Sequence, residues 1–249
     1  MALQEELEVQ GNFCFKYRGL LPIIILLLGL GIFIYKKLNF HDHHIFSEEE
    51  YTFFSLIISL IGFFIRIYTV GHSPENTSGR NTQTQVADQV NTTGIYSIVR
   101  HPLYLGNFFM WLGIGMLTES IAFIVIFILF FWIYYERIMF AEEQFLRKKF
   151  NETYLNWSKS TPAFIPSFKK WICPRYSFSW KKVLKKEKNG FFALFLVFFL
   201  FDYTETVINT FNLRINFNFW FYGMLIAGLS YLILKFLKKK TNLLYENGR

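Results

Sequence analysis

The sequence predicts an all-α, polytopic membrane protein with about six transmembrane helices. Two observations carry this expectation. Apolar residues are gathered into long runs almost free of charge, whereas the 53% hydrophobic content alone would suit a soluble domain. The cationic residues are also distributed unevenly around those runs. With the N-terminus cytoplasmic, Lys36, Lys37 and Arg214 fall outside and Arg66 lies within a span. Every other Lys and Arg is placed on the cytoplasmic side, the bias that orients membrane proteins. Both termini are therefore expected in the cytoplasm. The net charge of +8 reads as orientation and attraction to anionic lipid, with no nucleic-acid partner implied.

Residues 1–70 form a first block of two spans. An acidic N-terminus (Glu5, Glu6, Glu8) precedes the run Leu20 to Tyr35. No small-residue cleavage site follows it, which argues against a cleaved signal peptide. A polar loop with His41, Asp42, His43 and His44 leads to the run Phe53 to Val70. Those histidines lack a matching ligand cluster, so an interfacial loop is the better reading than a metal site.

Residues 71–168 form the second block. The polar stretch Gly71 to Thr93 is about 23 residues long, which suits either a lid or pocket wall or a linker. The runs Leu103 to Leu117 and Ile121 to Tyr135 then make a tight hairpin around Thr118 to Ser120. Each is short against the roughly 20 residues that cross a bilayer. A long, charged amphipathic helix follows. Residues 169–249 hold the basic stretch Lys169 to Lys188, read as lying on anionic lipid. Two further spans, Phe191 to Phe201 and Phe217 to Leu237, close the chain. Cys14 and Cys173 stand far apart and form no disulfide framework.

Two segments carry chemistry. In "GIYSIVRHPLYLGNF" (Gly94 to Phe108), Pro102 suits the first turn of a helix, where its missing N–H has no partner to lose. The helix therefore starts at the cytoplasmic interface, with its positive dipole end towards the polar side, where it attracts an anionic group. Arg100 and His101 add cationic and hydrogen-bonding capacity there. Snorkelling explains Arg100 as well, and ordinary helix packing explains Gly106, Gly113 and Gly115.

The second segment is "YYERIMFAEEQFLRKKFNETYLNW" (Tyr134 to Trp157). At about 100° per residue, Glu142 falls about 40° from Ile138, inside the apolar arc that holds Phe145, Tyr135 and Leu146. A carboxylate there is costly unless paired. It forms either a structural salt bridge to Arg100, Arg66 or a helix N-terminus, or the wall of a pocket that holds a cation. Arg66, an intramembrane cation, is a site candidate or a snorkelling residue. A carrier would show repeated halves and broken helices; neither is visible in the sequence.

Together these segments resemble the membrane methyltransferases that include isoprenylcysteine carboxyl methyltransferase and the phospholipid N-methyltransferases. The resemblance rests on "RHPLYLG", then Glu136, Arg137, Glu142 and Glu143, then "FNETY" and "TPAFIPSF", and covers roughly 52–168. It departs at Asn151, where the family has Gly, and in the C-terminal pair of spans. The resemblance implies S-adenosylmethionine in a cytoplasm-facing pocket and an acceptor that enters from the bilayer. Carried over, His101, Tyr104 and Glu142 contact the cofactor, with Pro102, Leu103 and Gly106 shaping the pocket. Arg100, Arg137 and Glu143 stand near the transfer point. The arginines tilt the expected acceptor towards an anionic lipid. A lipid A-type phosphate in a bacterial inner membrane comes first, then a prenylcysteine carboxylate, then a phospholipid amine.

Overall fold

The computed structural model describes residues 2–39, 48–75, 77 and 85–248. The His41 to His44 cluster lies outside the described residues, as does much of the polar stretch after Gly71. Helices α1 (Leu3–Lys16), α2 (Leu21–Asn39), α3 (Glu48–His72), α4 (Pro102–Met116), α5 (Ile121–Ser160), α6 (Trp180–Thr210) and α7 (Phe219–Lys240) build the fold. No strand occurs among the described residues, where the only sheet-like pairing is an isolated bridge between Gly94 and Ile172.

The all-α, polytopic expectation is met. Five helices, α2, α3, α5, α6 and α7, are long and apolar enough to cross a membrane. Their outward faces are apolar and exposed, as at Leu27, Phe64, Leu129 and Ile226, the pattern of side chains meant for lipid. The sixth expected span, α4, has 15 residues and so rises about 22 Å, short of a hydrocarbon core of about 30 Å. Its hairpin tip nevertheless reaches the level of the other helix ends. Lys37 at the end of α2 lies 2.7 Å from Glu48, 3.3 Å from Glu119 of the tip and 2.5 Å from Glu205 of α6.

Helices α3 and α4 cross closely. A Cβ at Gly113 would run into Ser59 and the backbone of Ser55, and one at Gly106 would stand 2.6 Å from Cγ of Arg66. These glycines let the two backbones approach, which sets the angle at which α4 delivers its N-terminus. One core cluster joins Leu56, Ile114, Leu194, Phe198 and Trp220 across α3, α4, α6 and α7. A second joins Phe15 of α1 to Tyr104, Phe127, Phe131, Tyr135 and Ile138.

Three elements differ from the sequence reading. Helix α1 was not anticipated; it lies along α5, with Gly11 set against the backbone of Arg137. The amphipathic helix expected at 134–157 continues its span as far as Phe150, and a second helical segment of α5 follows across a kink at Asn151, which takes φ 42° and ψ −119°. A positive φ favours Gly or Asn, which accounts for the residue pair allowed there; Asn151 closes one helical segment before the next begins. The basic stretch 169–188 is not wholly interfacial, because its second half is the start of α6. Lys182, Glu187 and Lys188 are buried there. Lys182 donates to both Ser73 oxygens and to the Pro74 carbonyl, so it ties α6 to the end of α3.

Candidate functional site

A cavity of about 570 Å³ lies where α4 begins, walled by α3, α4, α5 and α6 and by the α1–α2 turn. The corner that shapes it is built by the segment from Gly94 to Pro102. Gly94 takes φ 61° and ψ −136°, open to glycine and strained for other residues. This turn lets its N–H reach the Ile172 carbonyl at 2.9 Å. The backbone then tracks the proline-rich segment: Arg100 N–H donates to Pro162 at 2.9 Å and His101 N–H to Ala163 at 3.1 Å. Pro102 follows at the first helical position.

His101 is buried between two consecutive carboxylates of α5. Its Nε2 lies 2.9 Å from Glu143 Oε1 and its Nδ1 3.6 Å from Glu142 Oε2. Burial pushes the imidazole pKa down, but the hydrogen bonds and charges of Glu142 and Glu143 push it up by more, so it lies above the ordinary histidine value. Arg100 Nη1 stands 3.2 Å from Glu143 Oε2. The Nε of Arg100 is buried with no partner among the described residues. Glu142 accepts from the Tyr104 hydroxyl at 2.6 Å and faces Arg18 at 4.0 Å. Its side chain is 26% exposed and lines the cavity.

Of the residues named from sequence, Arg100, His101, Pro102, Leu103, Tyr104 and Glu142 line this cavity. Glu143 stands behind it, holding His101 and Arg100. Gly106 is turned to α3, where it makes room for the Arg66 stem. Arg137 is not brought to the cavity. Its guanidinium lies 3.2 Å from Gln10 of α1 and 3.3 Å from Glu136. Arg66 does line it, but as a partner of Glu187: Nε and Nη2 donate at 2.9 and 2.8 Å, and Nη1 donates to Asn107 at 2.7 Å. Glu187 was missed in the sequence, hidden in a stretch whose composition reads as basic surface.

The cavity has two ends of different character. Arg18, Arg100, His101, Glu142, Gln89 and Asn91 gather at one end; Met110, Trp111, Ile114, Leu194 and Val197 line the other. Ile114 lies about 18 Å along α4 from Pro102, so the apolar end runs deep into the spanning region. Such a shape takes a ligand with a charged part and an apolar part. Among the described residues no group of three or more His, Cys, Asp or Glu is placed to hold a metal ion.

Residues 51–153 match the family model described as phospholipid methyltransferase. The cobalt-zinc-cadmium resistance protein CzcN of Cupriavidus metallidurans is 39% identical over 36% of this chain and 38% of its own length. The protein-S-isoprenylcysteine O-methyltransferase of Schizosaccharomyces pombe is 38% identical over 30% of this chain and 32% of its own. That of Saccharomyces cerevisiae is 30% identical over 41% and 42%. The chain thus spans well under half the length of these relatives. No solved structure matches.

Proposed function

We propose, from the membership of residues 51–153 in the phospholipid methyltransferase family, that this protein is an S-adenosylmethionine-dependent methyltransferase acting on an oxyanion carried by a membrane lipid. The observation that carries the reading is the two-ended cavity, polar at the R-H-P corner and apolar among the spans. Its volume lies within the roughly 300–1,000 Å³ of small-molecule sites. The setting is a bacterial inner membrane, with both termini and the polar end cytoplasmic. This agrees with the distribution of Lys and Arg.

The residues present fit the cofactor. S-adenosylmethionine supplies, when bound, a methyl group on a cationic sulfonium, alongside an ammonium and a carboxylate. Glu142 is the cavity-lining carboxylate that would meet the cationic groups, held by Tyr104 at Oε1 and faced by His101 at Oε2. The Arg100 guanidinium, which lines the cavity, is a donor for the carboxylate. Pro102 and Leu103 shape the wall. Glu143 acts through others: it holds His101 and Arg100 in place. Arg137, with its side chain on α1, is given no part in the transfer.

Methyl transfer to an oxyanion asks the protein for alignment and exclusion of water, with no proton to move. An amine acceptor would need a base to keep it unprotonated. The arginine cluster that favoured a phosphate is not assembled, since Arg66 is matched by Glu187 and Arg137 lies elsewhere. The similarity to two isoprenylcysteine O-methyltransferases supports considering a carboxylate beside the phosphate as the oxyanion.

The test is calorimetry on the purified protein, followed by transfer of a radiolabelled methyl group in native membranes. S-adenosylmethionine binds, and Glu142→Gln and His101→Ala each weaken it by about tenfold, or roughly 1.4 kcal/mol. The label then appears in the lipid extract. Unchanged affinity in both variants sinks the site; label in soluble protein, or nowhere, sinks the function.

A further inference from the structure

The geometry points to α6 as the acceptor wall: Gly190 and Ala193 set the width of a slot for one lipid chain, and Glu187 holds Arg66 at the level of its headgroup. This rests on the reading of the cavity as a methyl-transfer site. It goes beyond that reading because α6 lies outside the matched segment 51–153, whose family says nothing of it.

One face of α6 runs the length of the cavity. Lys186, Glu187, Gly190, Ala193, Leu194 and Val197 all line it, at the spacings of three and four that share a helix face. Val197 lies about 16 Å along the axis from Lys186, so a single helix accompanies the cavity from its polar end to its apolar end. Across from it stand Met110 and Ile114 of α4. The two smallest side chains fall in the middle of this face. A Cβ at Gly190 would meet Glu187 Oε2 at 3.6 Å, Met110 Cε at 3.8 Å and Phe63 at 3.9 Å, ordinary contacts. Alanine therefore fits at Gly190, and a longer side chain would project into the slot.

Ala193 shows where the slot opens. It lines the cavity yet is exposed, on a helix long and apolar enough to cross the membrane. In the proposed slot this is the level at which the cavity opens sideways, towards the acyl region.

The headgroup end is held by a buried pair. Glu187 is 3% exposed and grips Arg66 through two hydrogen bonds, with Asn107 taking a third. Arginine carries five N–H donors, so two remain to face the cavity. Because the pair is neutral overall, it orients an oxyanion through hydrogen bonds. Glu187 is a positioning residue in this scheme. The ligand class is an oxyanion on one apolar chain, whether the oxyanion is a carboxylate or a phosphate.

The test uses the full chain in nanodiscs and four probes: the farnesyl and geranyl forms of N-acetylcysteine thioether, and farnesyl and geranyl phosphate. Binding of each probe is read by native mass spectrometry, methyl transfer by label, and cofactor affinity by calorimetry. Gly190→Leu and Ala193→Leu are expected to keep cofactor affinity within about twofold and to lose about tenfold in farnesyl-probe binding. The geranyl forms lose less, and Gly190→Ala behaves as wild type. Glu187→Gln raises the KM for the accepted probe several-fold without weakening the cofactor, and Glu187→Asp restores part of it. The headgroup that wild type prefers tells carboxylate from phosphate. Leucine variants that retain both chain lengths equally, or that lose cofactor and probe together, overturn the slot. Wild type that binds the farnesyl probes but no cofactor overturns the methyltransferase reading and leaves the slot supported.

Discussion

Replacing Glu143 by Gln tests the geometry of the corner most directly. The wild-type carboxylate accepts from His101 Nε2 at 2.9 Å and faces Arg100 at 3.2 Å. Removing one partner of a buried charge pair outright costs about 3–5 kcal/mol. Glutamine keeps an acceptor in the same place, so the loss falls towards the roughly 1–3 kcal/mol of a weakened buried hydrogen bond. Glu143 is 22% exposed beside the cavity, which places the value in the lower part of that range. At about 2–4 °C per kcal/mol for a chain of this size, the melting temperature falls by about 2–8 °C.

The effect also has a pH signature. The pKa of His101 lies above its ordinary 6.5, so its stabilising contribution is complete below pH 6.5. It is lost as pH rises through the raised value in the folded state. Glutamine removes one of the two carboxylates that raise it. The gap between wild type and variant is therefore widest near pH 5.5, where glutamates are still ionised, and narrows at higher pH. It does not close, because Arg100 keeps its need for Glu143 throughout. Thermal unfolding of the cofactor-free protein in detergent at two pH values measures this. A gap of the same size at both would mean that His101 does not carry the charge assigned to it.

Two further outcomes follow from the packing. Arg137→Ala removes only contacts near the surface, to Gln10 and Glu136, so stability changes by less than about 1 kcal/mol and calorimetry finds cofactor affinity unchanged; a tenfold loss would return Arg137 to the site. Gly113→Ala drives a methyl into Ser59 and the Ser55 backbone, and overpacking of that kind costs about 1–3 kcal/mol; a melting temperature equal to wild type would refute the close α3–α4 crossing.

What could be read from the sequence was what breaks a pattern. Arg100, His101 and Pro102 interrupt an apolar run, and Glu142 interrupts an apolar arc, so each is visible against its neighbours. Arg137 was placed near the transfer point by resemblance, although periodicity already separated it from Glu142 by about 140° on the helix. Glu187 was invisible to composition because three lysines surround it between 185 and 188. A helical wheel begun at Trp180 would have put it in line with Gly190, Leu194 and Val197. The long α5 and the added α1 escaped for a different reason. Charge marks where a span leaves the bilayer, but it does not say whether the helix stops there or finds another helix to lie against.

The buried charges of this chain also explain how such a greasy sequence specifies one arrangement. Between apolar helices in lipid, sliding or rotating one face against another costs little, because hydrocarbon surrounds them in either state. The ion pairs remove that freedom. Arg66 on α3 meets Glu187 on α6, Glu143 on α5 meets Arg100 and His101 before α4, and Lys37 on α2 meets Glu48, Glu119 and Glu205. Nearly all of these partners belong to different elements, and none is in place until the helices have docked. An unpaired charge in that setting is far more costly than a lost contact. The Lys37 cluster sets the height of the hairpin tip at one end, and the Glu187 and Glu143 pairs set the walls of the cavity at the other. The residues that make the cavity polar are therefore also the ones that hold its walls in register.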